Sequence, residues 1–569
     1  MGENFKERTK NPMQTWLLLK DPCSKVTLPT ELWDLPANGG GGFKLFTNLN
    51  GAYEKDRAVC GDERYSAVQD GMLLNRVELQ QKHDCDDLCS LVLRLARDGS
   101  PDFFNEFRGI FNGVVIDKAA GSARVYHCHF GGNPVFYYAQ GDVVIASPDF
   151  GAIVAVLRQS KLPYSFDEAA ADVFLAFRFM LDGRTHVKEI RRLAPGSFLM
   201  CGEGAPVEKR YFMFDNRDAA DVSESEAVKI LDESFTNAVR RCLEKNTEYG
   251  ITRHLVDLSG GFDSRILNCT VSKLGYKNIV NVCYSQGDSI DQHASLQMAR
   301  LLKNEYIYKT LDDASFLYDV DEIVRVNFGL ADYSASTGAN HLLKYLAASR
   351  FGFEHTGLIG DTITGTLNPV PRHVGVEEGL RLQGRELPPG ADIGIYPNYD
   401  LFVLYTDGFF GMTNSMFVRR QYLEVTSPFL DVEFTSACLS MPMEYRYNHV
   451  VYRRWIREKY PEAFKIPSTR CANPGERIRH FAWSQAQKVL RRRANHEKRP
   501  NRYFMNPFEH WYATNGDIRR FIREYYEARK DLLAPYPQTL EKAERLFQDG
   551  TVVSKLKVLT LLSVLENFF

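Results

Sequence analysis

Short apolar segments separated by polar turns dominate the N-terminal third of the chain. Residues 124–130, 134–140 and 142–147 either alternate between apolar and polar positions or are apolar throughout. Turns with the sequences Gly-Gly-Asn and Gln-Gly-Asp separate these segments. A period of two is typical of a strand with a buried face, and tight turns join neighbouring strands. This part of the chain is therefore predicted to be a strand-rich meander.

Two helices and a glycine run interrupt the predicted strands. Residues 77–81 and 86–97 carry apolar side chains at helical spacing, and residues 39–42 are four consecutive glycines. Apolar positions three and four apart place one face of a helix in the core, whereas consecutive glycines favour a loop. We predict two helices and a loop at these positions.

The pattern changes after residue 221, where helices and strands begin to alternate. Residues 223–245 begin with Ser223, carry Glu226 three positions later and continue with apolar residues at helical spacing, which is typical of a capped amphipathic helix. Alternation of strands and helices predicts a parallel sheet flanked by helices. The alternating segments are residues 254–258, 264–275, 278–284 and 292–302.

This change of pattern predicts two domains, which we place at residues 1–215 and 222–569. A chain of 569 residues exceeds what one hydrophobic core usually organises. Toward the C-terminus the sequence is richer in helices, including residues 449–460 and 554–569. The fold class expected from the pattern is α/β with a helical C-terminal part.

Composition excludes several classes of protein. Lysine plus arginine number 70 and aspartate plus glutamate 72, so no concentrated basic surface for nucleic acid is indicated. The basic stretch at residues 488–502 is interpreted as a solvated helix face or loop. No apolar run reaches membrane-spanning length, and the run at residues 16–19 is too short for a signal sequence. We expect a cytoplasmic protein with no membrane span and no nucleic-acid partner.

The cysteines indicate neither a disulfide framework nor a zinc site. They number eleven, they are scattered without a CxxC pair, and only Cys85 and Cys89 lie close together. Disulfide frameworks and zinc sites usually show paired cysteines at short, regular spacing. A reduced compartment is therefore expected.

The segment SGGFDS, at residues 259–264, lies between a predicted strand and a predicted helix. Backbone N–H groups and the helix dipole favour an anion at this position, and glycines allow close approach of phosphate oxygens. Serine hydroxyls add donors, whereas an aspartate suits the accompanying magnesium ion. Neither GxxxxGK[ST] nor GxGxxG is matched. The pattern predicts a pyrophosphate-binding loop formed by Leu258, Ser259, Gly260, Gly261, Asp263 and Ser264.

The extended motif SGGFDSR resembles the PP-loop of the asparagine synthetase family, which includes β-lactam synthetase and the lasso-peptide cyclases. Residues 356–361, TGLIGD, resemble the second loop of that family, and residues 427–431, SPFLD, resemble its PFLD segment. The helix expected after that segment corresponds to residues 450–461. The resemblance implies ATP and Mg²⁺ as cofactors. It places Thr356 and Gly357 at the nucleotide, and Asp263 and Asp361 at the metal.

The N-terminal half resembles the glutaminase domain of the same family. Residues 70–75, DGMLLN, stand where such domains carry NGEIYN, and residues 131–134, GGNP, stand where they carry GxxP. The resemblance implies an N-terminal nucleophile-hydrolase-like αββα sandwich. A PP-loop α/β synthetase domain, of the adenine nucleotide α-hydrolase-like type, would follow it.

Several glutaminase positions depart from the family pattern. A glutamine-hydrolysing member carries a cysteine directly after the initiator methionine, because its thiol is the nucleophile and its α-amine the base, whereas position 2 is Gly2. Asp70 and Met72 replace the asparagine and glutamate that hold the oxyanion and the glutamine, and a carboxylate at Asp70 would repel an oxyanion. We expect no glutamine hydrolysis. Thr15 would become an N-terminal nucleophile only after processing.

Two histidines of the N-terminal half also stand out. His127 and Cys128 occupy the positions of the glutamine-binding arginine and aspartate of the family, and His129 follows them. An HxCxH-like cluster invites a metal interpretation, but alternation along a strand points both histidines to one face with no fourth ligand nearby. We interpret them as packed side chains. The aromatic segment at residues 503–511 is likewise interpreted as core, with a substrate groove as the alternative.

The predicted synthetase site lacks two groups that the family uses. Leu358 stands where asparagine synthetases carry a glutamate base and β-lactam synthetase a tyrosine, and Thr362 replaces the glutamate usual after Asp361. Asparagine formation is therefore not expected. The late catalytic lysine has no clear counterpart. Its candidates are Arg453, Arg454, Lys465 and Arg470.

These observations predict an ATP-dependent ligase that adenylates a substrate carboxylate, releases pyrophosphate and forms an amide with an amine or ammonia. Its partners would be a small-molecule or peptide carboxylate and an amine. Two alternatives stay open. A PP-loop tRNA-modifying enzyme usually carries cysteine pairs or a basic appendage, and a non-catalytic scaffold of the same fold would bind no ATP.

The charge balance generates a first test. We expect no mobility shift when the purified protein is mixed with total tRNA at low salt, because the formal net charge is −2. A shift that weakens steeply as salt is added would instead favour the tRNA-modifying alternative.

Overall fold

A computed structural model describes residues 15–29, 35–49, 53–387, 392–467 and 500–569. Its strands in these ranges are β1 (Trp16–Lys20), β2 (Leu35–Gly40), β3 (Phe43–Thr47), β4 (Ala58–Gly61), β5 (Tyr65–Leu73), β6 (Gly109–Asp117), β7 (Ser122–His127), β8 (Phe136–Gln140), β9 (Val143–Ser147), β10 (Ile190–Arg192), β11 (Ser197–Cys201), β12 (Val207–Arg210), β13 (His254–Asp257), β14 (Ile279–Ser285), β15 (Glu305–Thr310), β16 (Phe353–His355) and β17 (Glu424–Thr426).

The helices in the same ranges are α1 (Arg76–Lys82), α2 (Leu88–Arg97), α3 (Phe150–Ser160), α4 (Glu168–Phe177), α5 (Glu224–Glu248), α6 (Phe262–Lys273), α7 (Ile290–Leu302), α8 (Val320–Asn327), α9 (Thr337–Leu343), α10 (Gly360–Ile363), α11 (Val376–Leu382), α12 (Tyr399–Val403), α13 (Asn414–Arg420), α14 (Val432–Leu439), α15 (Met443–Arg446), α16 (Val450–Lys459), α17 (Pro461–Lys465), α18 (Phe508–Thr514), α19 (Gly516–Glu527), α20 (Pro537–Asp549) and α21 (Val552–Phe568). A π-helix spans Leu404–Met412.

Two six-stranded antiparallel sheets face each other in the N-terminal half. Their strand orders are β10-β8-β9-β1-β3-β2 and β12-β11-β7-β6-β5-β4. Trp16 and Leu18 of β1 pack against Ile116 of β6 between the sheets, whereas Leu17 and Leu19 pack on the opposite face of β1. Because side chains alternate along a strand, the continuous apolar run of β1 is explained by burial on both faces.

Helices cover the outer face of each sheet. Phe150 of α3 shares a core with Ile145 of β9, and Leu91 of α2 shares another with Ala67 of β5. The layers therefore run helix, sheet, sheet, helix. This arrangement confirms the αββα sandwich expected for the N-terminal half.

A five-stranded parallel sheet forms the centre of the second half, in the order β15-β14-β13-β16-β17. Val256 of β13 packs against Ile266 of α6 on one face, while Leu255 packs with Leu342 of α9 on the other. Helix α5 begins at the predicted capping box, in which Ser223 and Glu226 bond to each other's backbone. The predicted parallel α/β alternation is confirmed.

The C-terminal helices pack against both halves of the chain. Helix α21 is apolar on all sides and buried, as expected for a helix enclosed by neighbours. The ring of Phe568 lies 5.2 Å from that of Phe150 in α3. Trp511 is buried against the Phe316 ring, which supports the core interpretation of the aromatic segment at residues 503–511, although Phe504 is exposed.

In the described part of the chain no helix is long and apolar enough to cross a membrane.

One expectation from the sequence is wrong, and a second holds only in part. Cys60 of β4 and Cys89 of α2 form a disulfide, with their Cα atoms 5.3 Å apart. These cysteines are 29 residues apart in sequence and meet only because α2 packs on β4, so short spacings did not reveal them. The glycine run is a loop only in part: Gly39 and Gly40 end β2, whereas Gly41 and Gly42 form the turn to β3 with positive φ.

A buried ionic cluster joins the two halves. Lys245 of α5 donates to both carboxylate oxygens of Asp56, at 3.0 and 3.2 Å, and both side chains are fully buried. Tyr249 also donates to Asp56, at 2.6 Å, and Arg76 lies 3.3 Å away. Glu248 completes the cluster by accepting from Lys245 and Arg76. The cluster therefore fixes the loop before β4 against α5.

Removing one charge from this cluster should destabilise the fold. Lys245→Met leaves Asp56 without its buried ammonium partner, so we expect the free energy of unfolding to fall by about 3 kcal/mol. Urea unfolding of wild type and variant measures this change in the free energy of unfolding. The matched control is Lys229→Met on the same helix, because Lys229 is 72% exposed and its pair with Glu233 spans 3.9 Å. A loss equal to that of the control would contradict a structural role for the cluster.

Candidate nucleotide and metal site

The predicted pyrophosphate loop connects a strand to a helix. Strand β13 ends at Asp257 and α6 begins at Phe262, as the sequence predicted. Within the loop, the N–H of Ser259 donates to Ser264 Oγ at 2.9 Å, and the N–H of Gly261 donates to Ser259 Oγ at 3.2 Å. The hydroxyls of Ser259 and Ser264 therefore lie at the start of α6, where the helix dipole favours an anion, while the N–H groups of residues 259–261 donate to side chains.

A buried arginine supports this loop from behind. Arg265 donates to the carbonyl oxygen of Gly260 at 2.8 Å, and to those of Ala463 and Ile466 at 3.0 and 2.8 Å. Burial lowers the pKa of Arg265 to about 10, with Asp291 opposing, so the guanidinium stays charged at neutral pH. Sequence reasoning assigned Arg265 no role, although it is the last residue of the SGGFDSR motif.

The second loop touches the first through two glycines. A Cβ on Gly357 would lie 2.8 Å from the backbone nitrogen of Ser264, and one on Gly360 would lie 2.6 Å from Cγ of Asp263. Real Cβ atoms do not approach so closely, so only glycine permits this contact. The contact brings Asp361, at the start of α10, to the same end of the sheet as Asp263.

A tyrosine from α16 is hydrogen-bonded to Asp263 and lies within the electrostatic influence of Asp361. Tyr452 donates a hydrogen bond to Asp263, and the charges of both Asp263 and Asp361 act on it. Burial, and after it the Asp263 charge, raise the pKa of Tyr452 well above its usual value, so it remains a donor. Thr356 is buried at the end of β16, where its N–H donates to the Thr426 carbonyl at 2.9 Å.

Most candidates from the sequence meet in this place. Leu258 is buried beneath the loop, and its N–H donates to the carbonyl of Val282 at 2.9 Å. The described residues contain no group of three or more His, Cys, Asp or Glu side chains suited to a metal. Mg²⁺ usually takes one or two carboxylates plus phosphate oxygens, and Asp263 and Asp361 fit that donor set.

The candidates for the late catalytic lysine are not all placed at this site. Arg454 and Lys465 form surface ion pairs with glutamates. Arg453 is half-buried on α16, directly after Tyr452. Arg470 and residues 488–499 of the basic stretch lie outside the described residues. Arg453 and Arg454 therefore both share α16 with Tyr452, the hydrogen-bond partner of Asp263.

An ionic chain runs from Asp70 of β5 into the second half. Arg57 donates to Asp70 at 2.8 Å and pairs with Glu424 of β17, which in turn pairs with Arg420 at 3.0 Å. Met72, beside this chain, is buried. Asp70 therefore contributes to a contact with the second half.

The histidines are packed, as the sequence predicted. His127 Nε2 lies 2.7 Å from the carbonyl oxygen of Ala194, and His129 Nε2 lies 3.2 Å from Asn105 Oδ1. Burial lowers the pKa of His127 to about 4 and that of His129 to about 3. Both rings are therefore neutral at pH 7.

Comparison with known proteins identifies the class of the N-terminal half. Residues 61–212 match a family model described as a glutamine amidotransferase domain. The chain therefore carries an amidotransferase-type domain, which points to amide-forming enzyme chemistry. No curated protein sequence matches the chain.

Two solved structures show weak similarity. Glutamine phosphoribosylpyrophosphate amidotransferase from B. subtilis, complexed with ADP and GMP, has 11% identity and a TM-score of 0.25, covering 54% of this chain and 77% of that chain. A structure of the allosteric regulatory enzyme of purine biosynthesis has 11% identity and a TM-score of 0.24, covering 52% and 74%. TM-scores of this size do not establish a shared overall fold.

The buried histidine generates a pH prediction. The pKa of His127 is lower in the folded state than the ordinary 6.5, so its contribution to stability is complete above pH 6.5 and is lost as pH falls toward 4. His127→Gln cannot titrate, and we expect its unfolding free energy to fall by about 3 kcal/mol less than wild type between pH 7 and pH 4. Urea unfolding across this range measures it, with exposed His293→Gln as control. Parallel curves for wild type and His127→Gln would contradict the prediction.

Proposed function

We propose that the protein is an ATP-dependent carbon–nitrogen ligase of the asparagine synthetase type. The observation that carries this proposal is the contact between the loops at residues 259–264 and 356–361, which brings Asp263 and Asp361 together. These carboxylates lie about a hundred residues apart in sequence. The contact needs glycine at positions 357 and 360. The amidotransferase-type match at residues 61–212 supports amide-forming chemistry in the same chain.

Each residue of the loop has a task in this proposal. Ser259, Ser264 and the first N–H groups of α6 bind the pyrophosphate part of ATP, and the Arg265 charge behind them favours the anion. Asp263 and Asp361 hold Mg²⁺, which offsets the charge that grows on the leaving pyrophosphate. Tyr452 keeps Asp263 oriented through its hydrogen bond.

The proposed reaction has two steps. An oxygen of the substrate carboxylate attacks the α-phosphorus, and the bond from that phosphorus to pyrophosphate breaks. An amine nitrogen then attacks the acyl carbon, AMP leaves with the electron pair of the broken bond, and nitrogen loses a proton. The substrates are a small-molecule or peptide carboxylate and an amine.

We propose that this amine is supplied without glutamine hydrolysis. Asp70 is paired with Arg57, so it offers a carboxylate where an oxyanion would have to bind. The domain bounds 1–215 and 222–569 are part of the same proposal. A tRNA-modifying enzyme remains the alternative within PP-loop chemistry, and a non-catalytic scaffold remains the alternative outside it.

Nucleotide product analysis tests the proposal. With ATP, Mg²⁺ and a panel of carboxylic acids and amines, we expect AMP and pyrophosphate with one class of acid. Asp263→Ala and Gly360→Ala should lower this turnover at least about 100-fold, because both disturb the paired carboxylates. Gly375→Ala is the matched control, since a Cβ there meets nothing within 4 Å.

The outcomes separate the alternatives. Formation of ADP instead of AMP would refute adenylation. Turnover that depends on tRNA would favour the tRNA-modifying enzyme. Absence of both ATP binding and turnover would favour the scaffold.

A further inference from the structure

A buried asparagine closes the base of the loop at residues 259–264. Asn268 lies in the second turn of α6 and is 1% exposed. Its side-chain nitrogen donates to the carbonyl oxygen of Asp257 at 2.9 Å and to that of Ser264 at 2.7 Å. Asp257 ends β13, and Ser264 lies in the first turn of α6. One amide group therefore connects the strand before the loop to the helix after it.

Two further asparagines fix the orientation of this amide. Asn281 of β14 is fully buried and donates to Asn268 Oδ1 at 2.5 Å and to the carbonyl oxygen of Val256 at 3.1 Å. Asn304, directly before β15, donates to Asn281 Oδ1 at 2.9 Å. An amide oxygen only accepts and an amide nitrogen only donates. Because Asn281 donates to Asn268 Oδ1, the nitrogen of Asn268 must point toward the ends of the loop.

Local preference does not explain asparagine at these positions. The neighbours of Asn268 in α6, Ile266 and Leu267, are buried and apolar, and leucine forms helices better than asparagine. Asparagine is also depleted in strands, where Asn281 lies. A buried asparagine that bonded only to the carbonyl four residues back would merely compete with its own helix. The bond from Asn268 to Asp257 leaves the helix, so it has a tertiary purpose.

The span between the two ends of the loop decides where its donors lie. The hydroxyl oxygens of Ser259 and Ser264 are 3.1 Å apart, and both lie between Asp257 and the residues of α6 that Asn268 holds. An anion bound by several donors depends on their mutual positions, because a hydrogen bond weakens steeply away from its preferred angle. A change in the span would therefore move the Ser259 hydroxyl relative to the first N–H groups of α6.

We propose that Asn268 is a positioning residue for the pyrophosphate part of ATP, and that Asn281 and Asn304 act through it. The proposal rests on the proposed ligase function. Asn268 does not touch the nucleotide, because its amide already bonds to protein groups on both sides. It holds the end of β13 and the start of α6 at the spacing that the phosphate oxygens need. The adenosine part of ATP does not depend on it.

Binding of three ligands to the full chain tests this role. Inorganic pyrophosphate, ATP and AMP, each with Mg²⁺, are titrated by calorimetry into wild type and Asn268→Leu, a variant of similar side-chain size that lacks both donors. We expect the affinity for pyrophosphate and for ATP to fall about tenfold, the size of the effect of one or two lost hydrogen bonds. The affinity for AMP, which lacks the pyrophosphate part, should stay unchanged.

Two further variants keep the test sharp. Asn281→Val places a good strand former in β14 and removes the bond to Asn268 Oδ1, so we expect a loss of about threefold for pyrophosphate even where Asn268→Leu fails to fold. Asn327→Leu is the matched control, because Asn327 is an equally buried asparagine that bridges the turn after α8 through Gly329 and Ala331. It should leave all three affinities unchanged, even where urea unfolding shows a similar loss of stability.

Each contrary result has a distinct meaning. Equal affinity of wild type and Asn268→Leu for pyrophosphate would overturn the positioning role and leave the ligase proposal standing. Equal loss of affinity for all three ligands would also overturn it, because the asparagines would then only support the fold. Absence of pyrophosphate and ATP binding by wild type would instead refute the nucleotide site, and the positioning role with it.

Discussion

Close approach of two backbone loops is the constraint on which the candidate site depends. Gly357 and Gly360 have no Cβ, so the second loop can rest against Ser264 and Asp263 of the first. A methyl group at either position would overlap with atoms already there. Asp263 and Asp361 therefore lie at the same end of the parallel sheet, because each carboxylate comes from one of the two touching loops.

Buried charge then holds the neighbouring parts in place. Arg265 ties the loop at residues 259–264 to the segment after α17, and Arg419 ties the end of β13 to β16. Buried ion pairs contribute little net stability, yet breaking one is costly because it leaves an uncompensated charge. The main effect of these contacts is therefore to restrict the loops to one arrangement, rather than to add net stability.

The N-terminal half has the architecture of an amidotransferase-type domain and is joined to the second half by buried charge. Asp70 pairs with Arg57, which continues to Glu424 of the parallel sheet, and Asp56 pairs with Lys245 of α5. Both pairs connect the halves of the chain. In the proposed enzyme, the main role of the N-terminal half is to support the second half, which carries the candidate nucleotide site.

The sequence by itself determined the local elements and the motif that links them. The capped helix after Ser223, the alternation around β13 and the loop at residues 259–264 depend on periodicity and near neighbours, which sequence displays directly. Only the tertiary structure decided the Cys60–Cys89 bond, the role of Arg265 and the hydrogen bonds that join Asn268 to Asp257 and Asn281. These depend on side chains far apart in sequence, whose meeting is set by the packing of whole elements rather than by any local pattern.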